Sequence, residues 1–241
     1  MSKKLKVFLG ICYLFILFIF LYLIFSKTEI SRLNDFSYYK EIQRNLEIFI
    51  GNKLYINLFL FSLFAIIWVI LLGFGSPILI VSGILFGKWV GTFISILSIS
   101  IGALALYSIA LFFFNDLFQK IFNRKFKKYI NLFKKNEFYY YFIYRFVGGL
   151  GIPFFLQNTL PIIFNMKKLN YFFSSMLGFI PGFFILNTIG AGLNQYVKES
   201  ESFSFIGLIL NKEVYLPLIM FVFLIVVSIL IKKKIFDDKH K

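Results

Sequence analysis

Residues 144–161, YRFVGGLGIPFFLQNTLP, are as apolar as a membrane span but contain residues that a lipid-exposed helix avoids. They include one arginine, three glycines, two prolines and a Gln-Asn-Thr run. A broken helix leaves backbone N–H and C=O groups unpaired, and lipid cannot satisfy them. The stretch is therefore predicted to turn back where other protein segments or a water-filled cavity cover its backbone.

The composition of the whole chain is that of an integral membrane protein. Of its 241 residues, 59% are hydrophobic, only 15% are charged and 36 are phenylalanine. A soluble domain of this length normally has about a quarter of its residues charged. The net charge of +15 comes from residues between the apolar runs and at both ends. This pattern is typical of segments beside anionic lipid and does not favour nucleic-acid binding.

The chain offers few residues for an enzyme or a metal site. Cys12 is the single cysteine and His240 the single histidine, so an internal disulfide or a cysteine cluster is excluded. No acidic residue occurs between Glu47 and Asp116, or between Glu137 and Glu199. Because a buried proton relay normally uses carboxylates or histidines, none is expected here. The sequence predicts neither a catalytic activity nor a cofactor.

The N-terminal region, residues 1–53, is predicted to combine a membrane anchor with a surface helix. The apolar run 7–25 is too long for a signal-peptide core and lacks a small-residue cleavage site, which indicates an uncleaved span. Residues 29–53 are polar, with selected positions recurring at spacings of three and four, and this predicts an amphipathic helix on the membrane surface. The recurring positions are Tyr39, Ile42, Leu46, Phe49 and Lys53.

The distribution of charge predicts the topology. Residues 115–137 carry seven basic and two acidic residues, and the tail 232–241 carries five and two. The segment 26–53 has five basic and four acidic residues, and 191–213 has two and three. Residues 1–6 hold three lysines and no acid. The positive-inside rule therefore places both termini and residues 115–137 in the cytoplasm of a multi-pass cell-membrane protein.

The first apolar block, residues 54–114, is predicted to contain a re-entrant hairpin and one full span. It joins an outside segment to a cytoplasmic one, which requires an odd number of crossings. At about 20 residues per span, however, it is long enough for two spans and a fragment. A re-entrant hairpin over 54–89 and one crossing over 90–114 resolve this conflict. The hairpin is predicted to turn at GFGSP, residues 73–77, with Gly75 and Pro77 as turn residues.

The second apolar block follows the same pattern from the opposite side. Residues 138–165 are predicted to dip in from the cytoplasm and turn at GGLGIP, residues 148–153, and residues 170–190 are predicted to cross. The two blocks are therefore inverted repeats, an arrangement found in proteins that move a substrate across the bilayer. The turn residues of this hairpin are predicted to be Gly151 and Pro153.

The predicted architecture is an all-α integral membrane protein with about four full transmembrane helices plus two opposed re-entrant hairpins. Residues 54–193 form its core, with 115–137 as a basic cytoplasmic loop. Residues 194–241 are predicted to hold a polar loop, a last transmembrane helix over 214–231 and a basic tail. A homo-oligomer is compatible with this architecture.

Arg145 is the candidate binding residue, because inserting a charge into an apolar run costs about 2.5–3.5 kcal/mol on translocon scales. Two interpretations stay open. The side chain either reaches the cytoplasmic head groups as an interface anchor, or it holds a lipid phosphate through its planar guanidinium. Gln157, Asn158 and Thr159 are predicted to face the interior, as backbone caps or as further substrate-binding residues.

The order of several motifs resembles the DedA-like superfamily, whose shared unit is the VTT domain, and in particular its branch of SNARE-associated Golgi proteins. The motifs are GILFGKWVGT at 83–92, Arg145, Pro153 and GFIPG at 178–182, within residues 59–193. The resemblance implies two opposed re-entrant hairpins. Close helix approach is predicted at Gly83, Gly87, Gly91, Gly102, Gly178, Pro181 and Gly182.

The resemblance also implies that the protein moves phospholipid or polyprenyl-phosphate between leaflets, with anionic lipid head groups as partners. The chain lacks the acidic residue that the DedA branch has near the first hairpin, which argues against proton-driven transport. Two alternatives stay open. The same cavity between the hairpins could carry a small solute or ion, or the protein could be a membrane scaffold that transports nothing.

Labelling of single cysteines tests the predicted topology. In a Cys12→Ala background, cysteines replacing Ser37 and Ser200 should react with an impermeant thiol reagent in intact cells, because both segments are predicted to face outward. A cysteine replacing Asn131 should react only after the membrane is permeabilised. Labelling of residue 131 in intact cells would contradict both predicted hairpins.

Overall fold

A computed structural model describes residues 3–26, 35–72 and 74–237, and every secondary-structure element in these ranges is a helix. The predicted all-α class is therefore confirmed. His240 in the tail and Gly73 in the first predicted turn lie outside the described residues.

Among the described residues, two helices are long and apolar enough to cross a membrane, at Leu54–Leu71 and within Ser76–Phe118. A third results if the bent pair Lys168–Gly178 and Ile180–Glu199 is counted as one span. Leu54–Leu71 meets this criterion although the sequence assigned it to a re-entrant arm. The number of full spans and the re-entrance of the hairpins stay predictions.

The N-terminal helix α1, Lys3–Ser26, packs beside a later helix, α3, Leu54–Leu72. The Tyr13 hydroxyl donates to the backbone carbonyls of Ile70 and Leu71 at 2.8 and 2.9 Å. The ring of Phe20 lies 6.1 Å from that of Trp68, centroid to centroid. These contacts fix α1 against the C-terminal half of α3.

The predicted amphipathic helix is present as α2, Phe36–Asn52. Asp35 begins it by accepting the backbone N–H of Ser37 at 2.9 Å, which is the preferred role of an aspartate at a helix N-cap. Tyr39, Ile42 and Leu46 line a cavity formed with other helices of the protein. The position of α2 on the membrane surface stays a prediction.

The first predicted hairpin turns between α3 and the helical run α4, Ser76–Lys135. Phe61 and Phe86 stand at similar distances along the chain from this turn, and their rings are 5.3 Å apart. The Trp68 indole donates to the carbonyl of Phe74 at 3.0 Å. Pro77 lies in the first turn of α4. A backbone N–H at this position would have no acceptor within the helix, so the lack of one in proline costs no hydrogen bond.

The helical run α4 reverses direction at Gly87, where φ is 73°. The Ser82 hydroxyl donates to the carbonyl of Gly91 at 3.0 Å. Nine residues of straight helix would rise about 13.5 Å, so these two residues face each other across a bend. Gly87 was predicted to permit close helix packing. That interpretation is wrong, because a Cβ there would have no atom within 4 Å, and the glycine is needed for its positive φ.

The second hairpin is formed by α5, Glu137–Phe146, and a returning arm. The arm consists of α6, Phe154–Thr159, and a 3₁₀ turn over Leu160–Phe164. The Tyr141 hydroxyl donates to the carbonyl of Gln157 at 2.8 Å, across the glycine turn. Gly148 and Gly149 have φ values of 77° and 72°, which explains why the turn is rich in glycine.

Asn165 ends the returning arm with a φ of 45°, and it stands where Gly87 stands in the first repeat. Each residue directly follows a phenylalanine, in the sequences LFG and IFN. Asparagine is among the few non-glycine residues that readily adopt this left-handed conformation. The returning arms of the two predicted repeats therefore end with the same left-handed backbone conformation.

A buried carboxylate ties the base of the second hairpin together. Glu137 accepts from the backbone N–H of Lys167 at 3.2 Å and from the side-chain amide of Asn170 at 2.6 Å. These bonds join the start of α5 to the start of α7, Lys168–Gly178. The sequence had placed Glu137 only at the end of a loop.

Two predicted boundaries require correction. Residues 115–137 were predicted to be a loop, but α4 continues to Lys135 because no glycine or proline occurs between Gly102 and Gly148. The predicted span 170–190 is two helices, since α7 and α8, Ile180–Glu199, meet at 46°. Pro181 stands in the first turn of α8 and disfavours a continuous helix.

The C-terminal part consists of a short helix α9, Phe205–Leu210, and a long helix α10, Lys212–Asp237. The last span was predicted over residues 214–231, and it lies within α10. This helix packs against α8 and against the 3₁₀ turn at Gly148–Gly151. The turn of the second hairpin is thus covered by α10.

Glycines permit the close crossing of α4 and α8. A Cβ at Gly83 would lie 2.1 Å from the carbonyl oxygen of Asn187, and one at Gly190 would lie 2.1 Å from that of Ile80. Gly91, Gly102 and Gly178 are also positions where a Cβ would lie within 3 Å of a neighbour. Gly182 does not fit the predicted packing role, because a Cβ there would have no neighbour within 4 Å.

Alanine substitutions test this crossing. Gly83→Ala should lower the free energy of unfolding by about 1–3 kcal/mol, since its Cβ must displace backbone of α8. Gly182→Ala is the matched control and should leave stability unchanged or raise it by up to about 1 kcal/mol through helix propensity. Denaturant unfolding in maltoside micelles measures both. Equal stability of the two variants would contradict the close crossing.

Candidate functional site

Arg145 lies at the C-terminal end of α5, directly before the glycine turn, and is only 2% exposed. Its Nη1 donates to Oε1 of Gln157 at 3.0 Å. Its Nη2 donates to Oδ1 of Asn158, and to the hydroxyl of Tyr171 at 3.2 Å. The guanidinium therefore connects the first arm of the hairpin, its returning arm and helix α7.

Four aromatic rings surround the guanidinium. The Cζ atom of Arg145 is 4.8 Å from the ring centroid of Phe179 and 4.9 Å from that of Tyr141. It is 5.5 and 5.9 Å from the centroids of Phe154 and Tyr171. Arginine favours such contacts because its planar cation is weakly hydrated and is attracted by the electron-rich ring faces. The rings partly replace the water that the charge has lost.

The Arg145 cluster, defined as Arg145, Gln157, Asn158 and Tyr171, holds no carboxylate. Each acceptor that Arg145 contacts is a neutral amide or hydroxyl oxygen. Two buried donors, Nε of Arg145 and Nδ2 of Asn158, have no hydrogen-bond partner. Buried donors are nearly always paired, so this cluster can still accept a hydrogen-bonding oxygen. Its uncompensated positive charge favours an anionic one.

The structure distinguishes among the residues predicted for the site. Gln157 and Asn158 contact Arg145, whereas Thr159 donates to the carbonyl of Phe155, in its own helix, at 3.1 Å. The interface-anchor interpretation of Arg145 is wrong, because its guanidinium is enclosed and not at the surface. Gln157 has the predicted capping role, since its Nε2 donates to the backbone carbonyl of Ile152 at 2.7 Å. Substrate binding by Gln157 stays a prediction.

Gly149 makes room for Gln157. A Cβ at this glycine would lie 2.2 Å from Cδ of Gln157, and its φ is positive. Glycine is therefore required here for two reasons. The positive φ disfavours other residues, and a side chain would overlap Gln157. Gly151 lies in the same 3₁₀ turn, and Pro153 is the residue before α6.

Tyrosines complete the cluster, and the sequence did not single them out. Tyr171 donates to Oδ1 of Asn158 at 3.2 Å, and its ring stacks on that of Tyr107 with 4.4 Å between centroids. The Tyr107 hydroxyl donates to the carbonyl of Met166 at 2.8 Å. Tyr141 precedes Arg145 by four residues, and residues at this spacing lie on the same face of a helix, so the sequence could have indicated this contact. Tyr171 is far from Arg145 in sequence, so spacing does not indicate it.

The turns of the two hairpins contact each other. The ring of Phe154, at the start of the second returning arm, lies 3.5 Å from the position of a Cβ on Gly75. Phe154 also contacts Phe179, at the bend between α7 and α8, with 5.7 Å between ring centroids. The predicted turns therefore pack together beside the Arg145 cluster.

A first cavity of about 470 Å³ lies between α2, α8 and α9 and is lined mainly by apolar side chains. Next to it, Lys198 donates to Glu47 at 2.8 Å and ties α8 to α2. This hydrogen bond lowers the pKa of the Glu47 carboxyl. The tie is therefore present above the ordinary pKa of a glutamate and is lost as the pH falls below the lowered value. Both groups are exposed, so salt weakens the tie.

A second cavity of about 450 Å³ lies between the end of α4 and the second hairpin. It shares no lining residue with the first cavity. Tyr141 lines this cavity, and the guanidinium of Arg145 lies over its ring, 4.9 Å from the ring centroid. The Arg145 cluster thus borders the second cavity through Tyr141.

Apolar helices that fold back on themselves and a buried arginine define an α-helical membrane protein. The family model of the VTT domain matches residues 73–192, and the chain belongs to this family, which includes the DedA and SNARE-associated Golgi proteins. The match begins after α3 and includes both Gly87 and the Arg145 cluster. Searches of curated proteins and of solved structures find no match to this chain.

Substitution at adjacent positions tests the cluster. Asn158→Leu should lower the free energy of unfolding by about 3 kcal/mol or more, because it removes an acceptor from a buried charge. Thr159→Val should cost well under that, since its hydroxyl bonds only to its own helix. The unfolding midpoints in detergent measure the difference. If both variants unfold at the same midpoint, the bonds from Arg145 contribute nothing measurable.

Proposed function

We propose that the protein translocates lipid between the leaflets of the cell membrane, with the phosphate of the head group binding at the Arg145 cluster. The observation that carries this proposal is the buried guanidinium, which has no acidic partner among the described residues. Its own Nε and the neighbouring Nδ2 of Asn158 both lack a hydrogen-bond partner. A lipid phosphate supplies the anionic oxygens that such a cluster lacks. Phospholipid and polyprenyl-phosphate both carry this group.

The two cavities support a path across the membrane. With the predicted topology, the first cavity opens toward the outside, because it is lined by the outward helix α2 and the end of α8. The second opens toward the cytoplasm, because it is lined by the basic end of α4. In this proposal the path between them passes the hairpin turns and the Arg145 cluster. Inverted repeats suit this arrangement, since one repeat supplies each side.

Lipid is favoured over a small polar solute by the lining of both cavities. The first is lined by isoleucine, leucine, valine and aromatic side chains with few polar ones. Among the side chains that the structure describes, the second is lined by aromatic rings, leucine, isoleucine and proline. A hydrophilic solute would lose its hydration in either, whereas a lipid presents an acyl chain to these surfaces.

The proposal places the protein in the cell membrane and involves no chemical reaction. Both termini are assigned to the cytoplasm, and the two hairpins are assigned as re-entrant, entering from opposite sides and meeting at Gly75 and Phe154. The partners are membrane lipids with anionic head groups, and no covalent step is required. Movement needs only that the hairpin turns separate far enough for a head group to reach Arg145.

Asn158→Asp tests the proposal without removing a contact. The new carboxylate would stand where Oδ1 already accepts from Arg145, and it would pair with the guanidinium in place of a phosphate. The protein should remain folded, whereas lipid movement should fall by roughly tenfold to a hundredfold, the worth of a charge-assisted hydrogen bond. The assay is loss of head-group-labelled lipid fluorescence in proteoliposomes after adding an impermeant quencher.

The matched control is Thr159→Val, which should move lipid at the wild-type rate. Arg145→Lys should resemble Asn158→Asp in transport, because lysine lacks the planar fork that reaches two amides. Wild-type protein that moves no lipid above empty liposomes would refute translocation and favour a scaffold. A folded Asn158→Asp variant with wild-type rates would refute the phosphate site.

A further inference from the structure

The apolar face of α2 borders the first cavity without filling it. Tyr39, Ile42 and Leu46 line this cavity at the spacings of one helix face. Tyr39 and Ile42 nevertheless remain 39% and 37% exposed. An amphipathic helix normally packs its apolar face against the core, and most of its stability comes from that packing. Helix α2 therefore covers a space that an apolar occupant can fill.

The size and the lining of the first cavity suit a hydrocarbon chain. Its volume of about 470 Å³ is within the range of small-ligand sites. Besides the residues of α2, the lining includes Leu193 and Val197 of α8 and Leu208 of α9. Aliphatic walls favour the burial of apolar surface, whereas a polar group placed against them loses its hydration.

The volume also distinguishes a hydrocarbon chain from a helix of another protein. Helices α2, α4, α8 and α9 of this chain all border the cavity, with Ile84 as the contribution of α4. A helix is about 10–12 Å across with its side chains, so a single turn of it would take about the whole volume. A hydrocarbon chain is thinner, and membrane lipids supply such chains around every spanning helix.

Exposed contacts fasten α2 over the cavity near both of its ends. Near the start of α2, the ring of Phe36 lies 6.2 Å from that of Phe203, centroid to centroid. Near its end, Glu47 pairs with Lys198, and these two side chains are 47% and 60% exposed. Exposed ion pairs contribute little and are weakened by salt. A segment held by such contacts opens locally at a small cost in free energy, so α2 can separate from α8 while the core stays folded.

We propose that the first cavity binds one hydrocarbon chain of a membrane lipid, and that α2 is the lid under which the chain enters. Ile84 belongs to the returning arm of the first hairpin, so a bound chain contacts that hairpin. Helices α2 and α9 lie outside residues 73–192, so the site includes elements beyond the matched VTT domain. The identity of the chain as that of the moved lipid rests on the proposed function, whereas the chain site rests on the cavity and on α2.

Photolabelling in liposomes tests the chain site. The probe is a phosphatidylcholine with a diazirine at the end of one acyl chain, present in trace amount in bilayers of ordinary phosphatidylcholine. Illumination should attach it to Leu193 and Val197, and mass spectrometry of the peptides identifies the adducts. A phosphatidylcholine with its diazirine on the head group should not label these residues. Phe59, an exposed residue of α3, is the internal control, because the chain-labelled probe should reach it in every variant.

A reversible bridge between α2 and α8 tests the lid. In a Cys12→Ala background, Glu47→Cys and Lys198→Cys place two thiols where the native side chains meet, and a short bis-methanethiosulfonate reagent joins them. When the bridge forms before the probe is delivered from donor vesicles, labelling of Leu193 and Val197 should be lost while that of Phe59 persists. A thiol reductant should restore it.

Substitution of the ion pair tests the lid without a bridge. Glu47→Gln should raise the rate of labelling at Leu193 about twofold to fivefold, which corresponds to the loss of one exposed ion pair. Combining Glu47→Lys with Lys198→Glu should restore the wild-type rate. Glu199→Gln is the matched control, since this exposed residue is bonded to Gln195 of its own helix. A wild-type rate in Glu47→Gln would overturn the ion pair as a fastening of the lid.

The remaining outcomes separate this site from lipid translocation. Equal labelling of Leu193 and Val197 by the two probes would overturn the chain site, and labelling that the bridge leaves unchanged would overturn the lid. Neither measurement requires transport. A protein that is labelled under α2 but moves no lipid would refute translocation alone, whereas a protein that moves lipid without these adducts would refute the chain site alone.

Discussion

The burial of one cation at the turn of the second hairpin determines much of the surrounding structure. A guanidinium that is 2% exposed needs acceptors, and the returning arm supplies two amides only because the glycine turn brings Gln157 and Asn158 back beside α5. The same requirement fixes α7, since Tyr171 is the third acceptor. Gly149 has a positive φ, and Gln157 fills the space that a side chain at this position would need.

The chain turns back in both predicted repeats, but different residues form the turns. Each contains a turn between two helical arms, and each returning arm ends at a residue with positive φ, Gly87 in one and Asn165 in the other. The first exit is followed by close packing of α4 on α8, which glycines at the crossing make possible. The second exit is followed by a helix that bends at Phe179, next to the buried arginine. The two predicted repeats therefore share the conformation at the end of the returning arm and differ in the packing that follows it.

Glycine and proline positions made most of this fold predictable from the sequence. GFGSP and GGLGIP mark the hairpin turns, and the LFG and IFN exits were visible as parallel features. The prediction for residues 115–137 was wrong, because the many lysines were taken to indicate a loop. No glycine or proline interrupts the helix there, and α4 continues to Lys135. At the site, Gln157 and Asn158 were predicted because amides are costly in lipid, whereas Tyr171 was missed because tyrosine is common in this chain. Thr159 shows the limit of that reasoning, since a hydroxyl can be satisfied by its own helix.

The neutral character of the Arg145 cluster is consistent with a site that must open and close. A buried carboxylate would hold the guanidinium in an ion pair, and removing one partner would leave an uncompensated charge at a cost of several kcal/mol. Amide and hydroxyl oxygens hold it less tightly, and four ring faces offset part of its lost hydration without using its N–H groups. An incoming phosphate can then replace neutral acceptors with charged ones while the rings stay in place. The neutral acceptors thus leave the stronger electrostatic interaction to the proposed phosphate.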